Sequence, residues 1–193
     1  MAVVKVFPDD VDRKLMEVFS RLGYDGASME ILSQATGLKK ASLYHRFPGG
    51  KKDMAAHVLK NVEAWFLSHV DAVLRDEQKP LDKRLNEGIA AISSLFEDGA
   101  RNCSLRMLSA CTESGYFRET IANSFMILKN AFTFIAEQNG LSSEMASKKA
   151  MEVIINIQGS LILSRAMQDN GIFKTSIADI PERLGISQNK NLK

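Results

Sequence analysis

Between residues 8 and 22 the apolar residues Val11, Leu15, Val18, Phe19 and Leu22 fall at i, i+4, i+7, i+8 and i+11, one face of a helix. Pro8 suits its first turn, Asp9 and Asp10 favour the positive end of its dipole, and Gly23 is expected to stop it. Ser28 is an N-cap candidate for a second, short helix, with Ile31, Leu32 and Ala35 facing inward and Gly37 at its end. The stretch "KKASLYHRF" then gives a third helix of about two turns. In it Leu43 and Phe47 are i, i+4 partners and Leu38 approaches the same side. Lys39, Lys40, Ser42, His45 and Arg46 are left to the other faces.

"PGG" breaks the chain, and a long helix is predicted from Lys51 to Asp76, ended by Lys79-Pro80. Its apolar positions Met54, Val58, Val62, Phe66, Val70 and Leu74 form an i+4 ladder. Further helices are predicted over 81–97, 105–113, 116–138, 142–169 (with Ser142 as N-cap) and 175–184, the last kinked or split at Pro181. The polar tail 187–193 is expected to fray. No sustained period-2 alternation occurs, so the predicted fold class is all-α with about nine helices.

Composition narrows the function classes. A chain of 193 residues with 45% hydrophobic and 25% charged residues can bury a core and is not a disordered chain. No apolar run is long enough to span a membrane, and "MAVVKVFPDD" is too short and too soon acidic for a secretory signal. Cys103 and Cys111 stand eight residues apart, about 12 Å along a helix, too far for a disulfide. They are expected to be reduced thiols of the core rather than redox sensors, which points to a cytoplasmic protein. The net charge of +2 says little, but the first sixty residues hold ten Lys/Arg against seven Asp/Glu, and the remainder 15 against 16. His45, His57 and His69 form no tight metal motif, and neither a nucleophile elbow nor a dinucleotide fingerprint occurs, so no enzyme, metal or cofactor is expected. "PGGKKD" lacks both the preceding strand and the Ser/Thr of a phosphate-binding loop.

Three short helices in the first fifty residues, with a glycine turn between the second and third, match a helix-turn-helix unit. The run "GLKKASLYHRFPGGKKDM" also resembles the DNA-binding domain of tetracycline-repressor (TetR) type bacterial regulators. The residues carrying the resemblance are Gly37, Leu38, Ser42, Leu43, Tyr44, Phe47 and Lys51. "FPGGK" is similar to the LmrA/YxaF-like branch, associated with drug- and flavonoid-type ligands. Arg46 stands where histidine is common in the family, and Ala27 where threonine is frequent. Taken singly, the lysines fit a solvated helix face. At the family's spacing they are expected to meet double-stranded DNA, with Lys39, Lys40, Ser42 and His45 in the major groove and Ser28, Tyr44, Arg46 and Lys51 on phosphates. The ammonium of Lys51 and the first-turn amides of its helix are expected to act on one phosphate together.

The resemblance implies a helix-turn-helix DNA-binding domain over 1–50 and a helical ligand-binding and dimerisation domain over 51–193. It implies a homodimer joined through the last two predicted helices, 142–169 and 175–184, with Ile155, Gly159, Ile162, Leu163, Ala166, Phe173, Ile177, Ile180 and Leu184 at the interface. It also implies a small-molecule effector, apolar or aromatic, in a pocket lined by Trp65, Phe66, His69, Met107, Phe125, Met126, Phe132 and Gln158, with the long fourth helix as the lever. The expected function is a ligand-responsive repressor of a palindromic operator. The alternative is an all-helical small-molecule-binding or adaptor protein whose basic helix is only surface.

Overall fold

The computed structural model describes residues 10–186, and every regular element in them is helical. Pro8, Asp9 and the tail 187–193 lie outside the described residues. The chain packs into two compact units, one running to Ala64 together with Arg101–Asn123, the other holding Trp65–Ala100 and the residues from Ser124 onward.

The first unit opens with α1 (Asp10–Gly26), α2 (Met29–Thr36) and α3 (Lys40–Arg46). Gly23 (φ 68, ψ −173) leaves helical geometry inside α1, so the predicted stop is a break followed by one more turn. Ser28 caps α2 by accepting the Ile31 N–H at 3.2 Å, and Gly37 closes that helix in the left-handed region. The core gathers Leu15, Met16, Val18 and Phe19 of α1 with Leu32, Leu43, Phe47 and the α4 (Lys51–Phe66) residues Met54, Val58 and Leu59. Burying each large side chain contributes about 1.5–3 kcal/mol. The unit also takes in α7 (Ser104–Ser109) and the start of α8 (Ser114–Gln138). There Leu105, Leu108 and Phe117 are buried, and the Phe117 ring meets the Tyr24 ring edge-on at 5.5 Å. Asp25 accepts both the amide (3.1 Å) and the hydroxyl of Thr112. Those two bonds hold its carboxyl below the usual carboxylate range.

In the second unit the long predicted helix runs on through a π-helical turn, Leu67–Asp71, into α5 (Ala72–Leu74). Residues at i+4 spacing drift around an α-helix, and the wider π turn winds that drift back. Phe66, Val70 and Leu74 are all buried as a result. The buried Arg84 of α6 (Leu81–Leu95) donates to the Leu74 carbonyl at 3.0 Å, closing the end of α5. In α9 (Ser143–Met167) the residues Ala146, Ala150, Val153, Ile154, Ile157 and Leu161 turn inward. The last predicted helix begins earlier than expected and is split, as α10 (Gly171–Ala178) and α11 (Ile180–Arg183), with Pro181 in the first turn of α11. This pair folds back on α9, where the Phe173 N–H donates to Ser164 Oγ at 3.0 Å. Phe173, Ile177, Ile180 and Leu184, expected to offer surface to a partner subunit, are therefore core of their own chain, all at most 5% exposed.

The turn between α3 and α4 depends on Gly50. Its φ is +65°, and a Cβ there would lie 3.0 Å from Cε1 of Tyr44. Replacing Gly50 by alanine should cost about 1–2 kcal/mol through the left-handed backbone alone. Urea unfolding should show this as a lower midpoint at unchanged slope.

Candidate nucleic-acid interface

Helix α3 has only seven residues, and its side chains divide cleanly. Leu43 is 0% and Phe47 is 6% exposed, while Lys39, Lys40, Ser42, Tyr44, His45 and Arg46 lie on the surface. Leu43 and Phe47 are therefore core and take no part in stacking on bases. Tyr44 leaves about half of its surface open, with its ring against the backbone of Gly50. The Ser28 oxygen already accepts the Ile31 amide, which leaves its hydroxyl proton to donate outward.

Several cations of this surface are already engaged. Lys40 pairs with Glu30 of α2, and this contact holds the Glu30 carboxyl below the usual range. Lys51 Nζ donates to the Tyr24 carbonyl at 2.9 Å and lies 4.1 Å from the centre of its ring. Lys52 pairs with Glu113 at 3.3 Å and stands over the Tyr116 ring. Arg46 Nη2 meets Asp12 at 3.2 Å. Lys39 has no ion-pair partner among the described residues, and its extended backbone forms the N-cap position of α3. Asp53 turns its carboxylate back at the start of α4 to accept the Gly49 N–H at 2.6 Å.

The other predicted site residues spread over both units. Met107 belongs to the first, where its side chain lies against Gly23 of α1. Trp65, Phe66, His69, Phe125, Met126, Phe132 and Gln158 belong to the second. Of these, Trp65, Phe66 and Phe132 are fully covered, and Met126 is half exposed. His69 stacks on Trp65, ring centres 4.8 Å apart. Trp65 Nε1 and Gln158 Oε1 are buried without a hydrogen-bond partner among the described residues. A cleft of about 520 Å³ is lined by a different set: Gly99, Ala100, Ser164, Arg165, Gln168, Asp169 and Asn170. On α9, Ile155, Ile162, Leu163 and Met167 are exposed, as is Ala166, and Gly159 faces open space. Cys103 and Cys111 are buried free thiols, and burial pushes the Cys111 thiol up, away from the reactive thiolate. Among the described residues no cluster of three or more His, Cys, Asp or Glu could hold a metal, and no helix is long and apolar enough to cross a membrane.

Residues 14–58, which hold this two-faced helix, match the family model of bacterial regulatory proteins, tetR family. Over those residues the chain is similar to the tetR family, a family of bacterial regulatory proteins. The chain is 31% identical over 121 residues to the HTH-type transcriptional repressor ComR of Escherichia coli, covering 62% of this chain and 57% of ComR. It is 22% identical over 162 residues to the HTH-type transcriptional regulator LmrA of Bacillus subtilis, covering 80% of this chain and 86% of LmrA. A TetR transcriptional regulator from Legionella pneumophila has the same fold, with a TM-score of 0.75, 17% identity and coverage of 89% and 94% of the two chains.

In this head, the residues that sequence reasoning missed are the carboxylates that hold its cations: Asp12, Glu30 and Glu113. Asp12 had a legible signal. It occupies the apolar face of α1, three, four and seven residues before Leu15, Met16 and Phe19, where an acid needs a buried partner. Glu30 and Glu113 had none, because their partners lie on other helices. The Glu30–Lys40 pair stays formed at neutral pH and opens only as pH falls through the lowered Glu30 value. Glu30→Gln should therefore free Lys40 for a polyanion. The expected result is tighter duplex binding and a salt dependence steeper by about 0.9 per additional phosphate contact, measured by fluorescence anisotropy over a salt series.

Proposed function

We propose that the chain is an effector-released repressor that binds a palindromic operator as a homodimer. The observation that carries this reading is the division at α3, where Leu43 and the following Phe47 are buried while Lys39, Lys40, Ser42, Tyr44 and His45 are exposed together. Functionally, we divide the chain into a DNA-reading segment, 1–50, and a ligand-binding and dimerisation segment, 51–193. Lys39, Lys40, Ser42 and His45 read base edges, and Ser28, Tyr44 and Lys51 hold phosphates. Lys51 keeps two ammonium protons for a phosphate beside the one it gives to Tyr24.

Dimerisation is supported by the exposed apolar stripe of α9, Ile155, Ile162, Leu163 and Met167, with the open Gly159 allowing close approach. A C2 pair of such heads suits two half-sites about one helical turn of DNA apart. An effector is supported by the Trp65 indole N–H and the Gln158 carbonyl oxygen, which are among the buried polar atoms of the second unit without a partner among the described residues. They suit an apolar or aromatic molecule with one acceptor and one donor.

Selection from a random duplex pool tests the reading. The protein should enrich a palindrome, and Lys39→Ala should relax base preference at one position of each half-site by about 1–3 kcal/mol. If no duplex is preferred, the adaptor or small-molecule-binding reading takes over. Ile162→Asp should shift the sedimenting species from dimer to monomer while the helical circular dichroism is retained.

A further inference from the structure

Among the described residues the first unit holds one nearly inaccessible carboxylate. The side chain of Asp12 is 3% exposed, and donors reach it from two other helices. Its Oδ1 lies 3.2 Å from Arg46 Nη2 and 3.0 Å from His57 Nε2, and its Oδ2 lies 3.1 Å from Asn61 Nδ2. His57 and Asn61 are one turn apart on α4, and Arg46 is the last residue of α3. An ionised carboxylate only accepts, so His57 presents Nε2–H to it. Asn61 Nδ2, 3.2 Å from that nitrogen, is a second donor converging on the same anion. The apolar anchor lies alongside: Phe47 follows Arg46 in sequence, its ring is 5.3 Å from the His57 ring, and the guanidinium is 5.4 Å from it.

We propose that Asp12 and Arg46 are positioning residues for the reading helix, with Arg46 acting as a brace rather than a phosphate ligand. The inference rests on the DNA-reading function proposed above. Buried charge is tolerated only when paired and hydrogen-bonded, so drawing Arg46 out to a phosphate would leave Asp12 with no cation from α3. While the pair holds, the C-terminal end of α3 is fixed to the first turn of α1 and, through His57 and Asn61, to α4. Leu43 and Phe47 set how deeply α3 sits. The Asp12 bonds set how it is turned, and so where Lys39, Ser42 and His45 point.

The test compares the duplex selected by the wild-type protein with a scrambled duplex, over a salt series, for the wild type, Arg46→Gln, Asp12→Asn and the double variant. Arg46→Gln should weaken the selected duplex by at least about tenfold, leave the scrambled one within about twofold, and leave the salt slope unchanged. In the DNA-free protein the double variant should melt within about 2 °C of the less stable single variant, because the partners share one interaction. Should Asp12→Asn not fold, Asn61→Ser keeps the Asp12–Arg46 pair and should still reduce discrimination between the duplexes. Equal loss on both duplexes with a slope flatter by about 0.9 would make Arg46 a phosphate ligand and overturn the brace. Lower melting temperatures with unchanged discrimination would leave the network a stabilising one only, and also overturn it. If the wild type itself discriminates between no duplexes, the DNA-reading function falls and takes the inference with it.

Discussion

A helix of seven residues does not hold itself together in water, because nucleating its first turn costs more than so few hydrogen bonds return. Helix α3 exists because Leu43 and Phe47 are pulled into the core, with α3 packed on α2 and the Phe47 ring against His57 of α4. That requirement governs the surface as well. With Leu43 of the helix and Phe47 just past its end committed inward as one i+4 pair, the exposed positions are forced onto the remaining arc, and polar groups there can act together. The tight turn after Phe47 then has to carry the chain into α4 without disturbing this seat, which is why Gly50 in the left-handed region meets the ring of Tyr44. The same short segment thus fixes both its grip on the domain and its outward chemistry.

The second unit solves a different problem with one helix. α9 is apolar on more than one side: Val153, Ile157 and Leu161 are covered by their own chain, whereas Ile155, Ile162 and Leu163 are not. α10 and α11 supply part of the cover, with Ile177, Ile180 and Leu184 buried and the Phe173 amide tied to Ser164. The uncovered side is continuous along the helix rather than scattered, which separates it from the single exposed apolar residues that every protein surface carries.

Much of this was legible in the sequence, for local reasons. Glycines and prolines mark where backbone geometry must change, so Gly37, the "PGG" turn and Pro181 delimit elements close to where they are observed. Burial of Leu43 and Phe47 follows from i+4 spacing alone. What stayed hidden depends on contacts between distant segments. The join of Asp12 to Arg46 spans 34 residues and that of Asp25 to Thr112 spans 87. No periodicity encodes either of them. The hydrophobicity of Phe173 and Ile180 correctly marked residues that need burial, yet it carries no information on whether the covering surface belongs to the same chain. The π turn escaped because a perfect i+4 ladder looks like an ordinary helix until the drift of its face is followed over several turns.

The paired cations of the head also have a kinetic meaning. Lys40, Arg46 and Lys52 each face a carboxylate of the same unit, so the charge count of this surface overstates the field it projects. Such pairs act as short dipoles, and beyond about 8 Å at physiological ionic strength little of them is felt. Long-range capture of a polyanion is then only modestly accelerated over an uncharged surface. Selectivity in such a head resides in dissociation: a well-fitted partner is held longer, not found sooner.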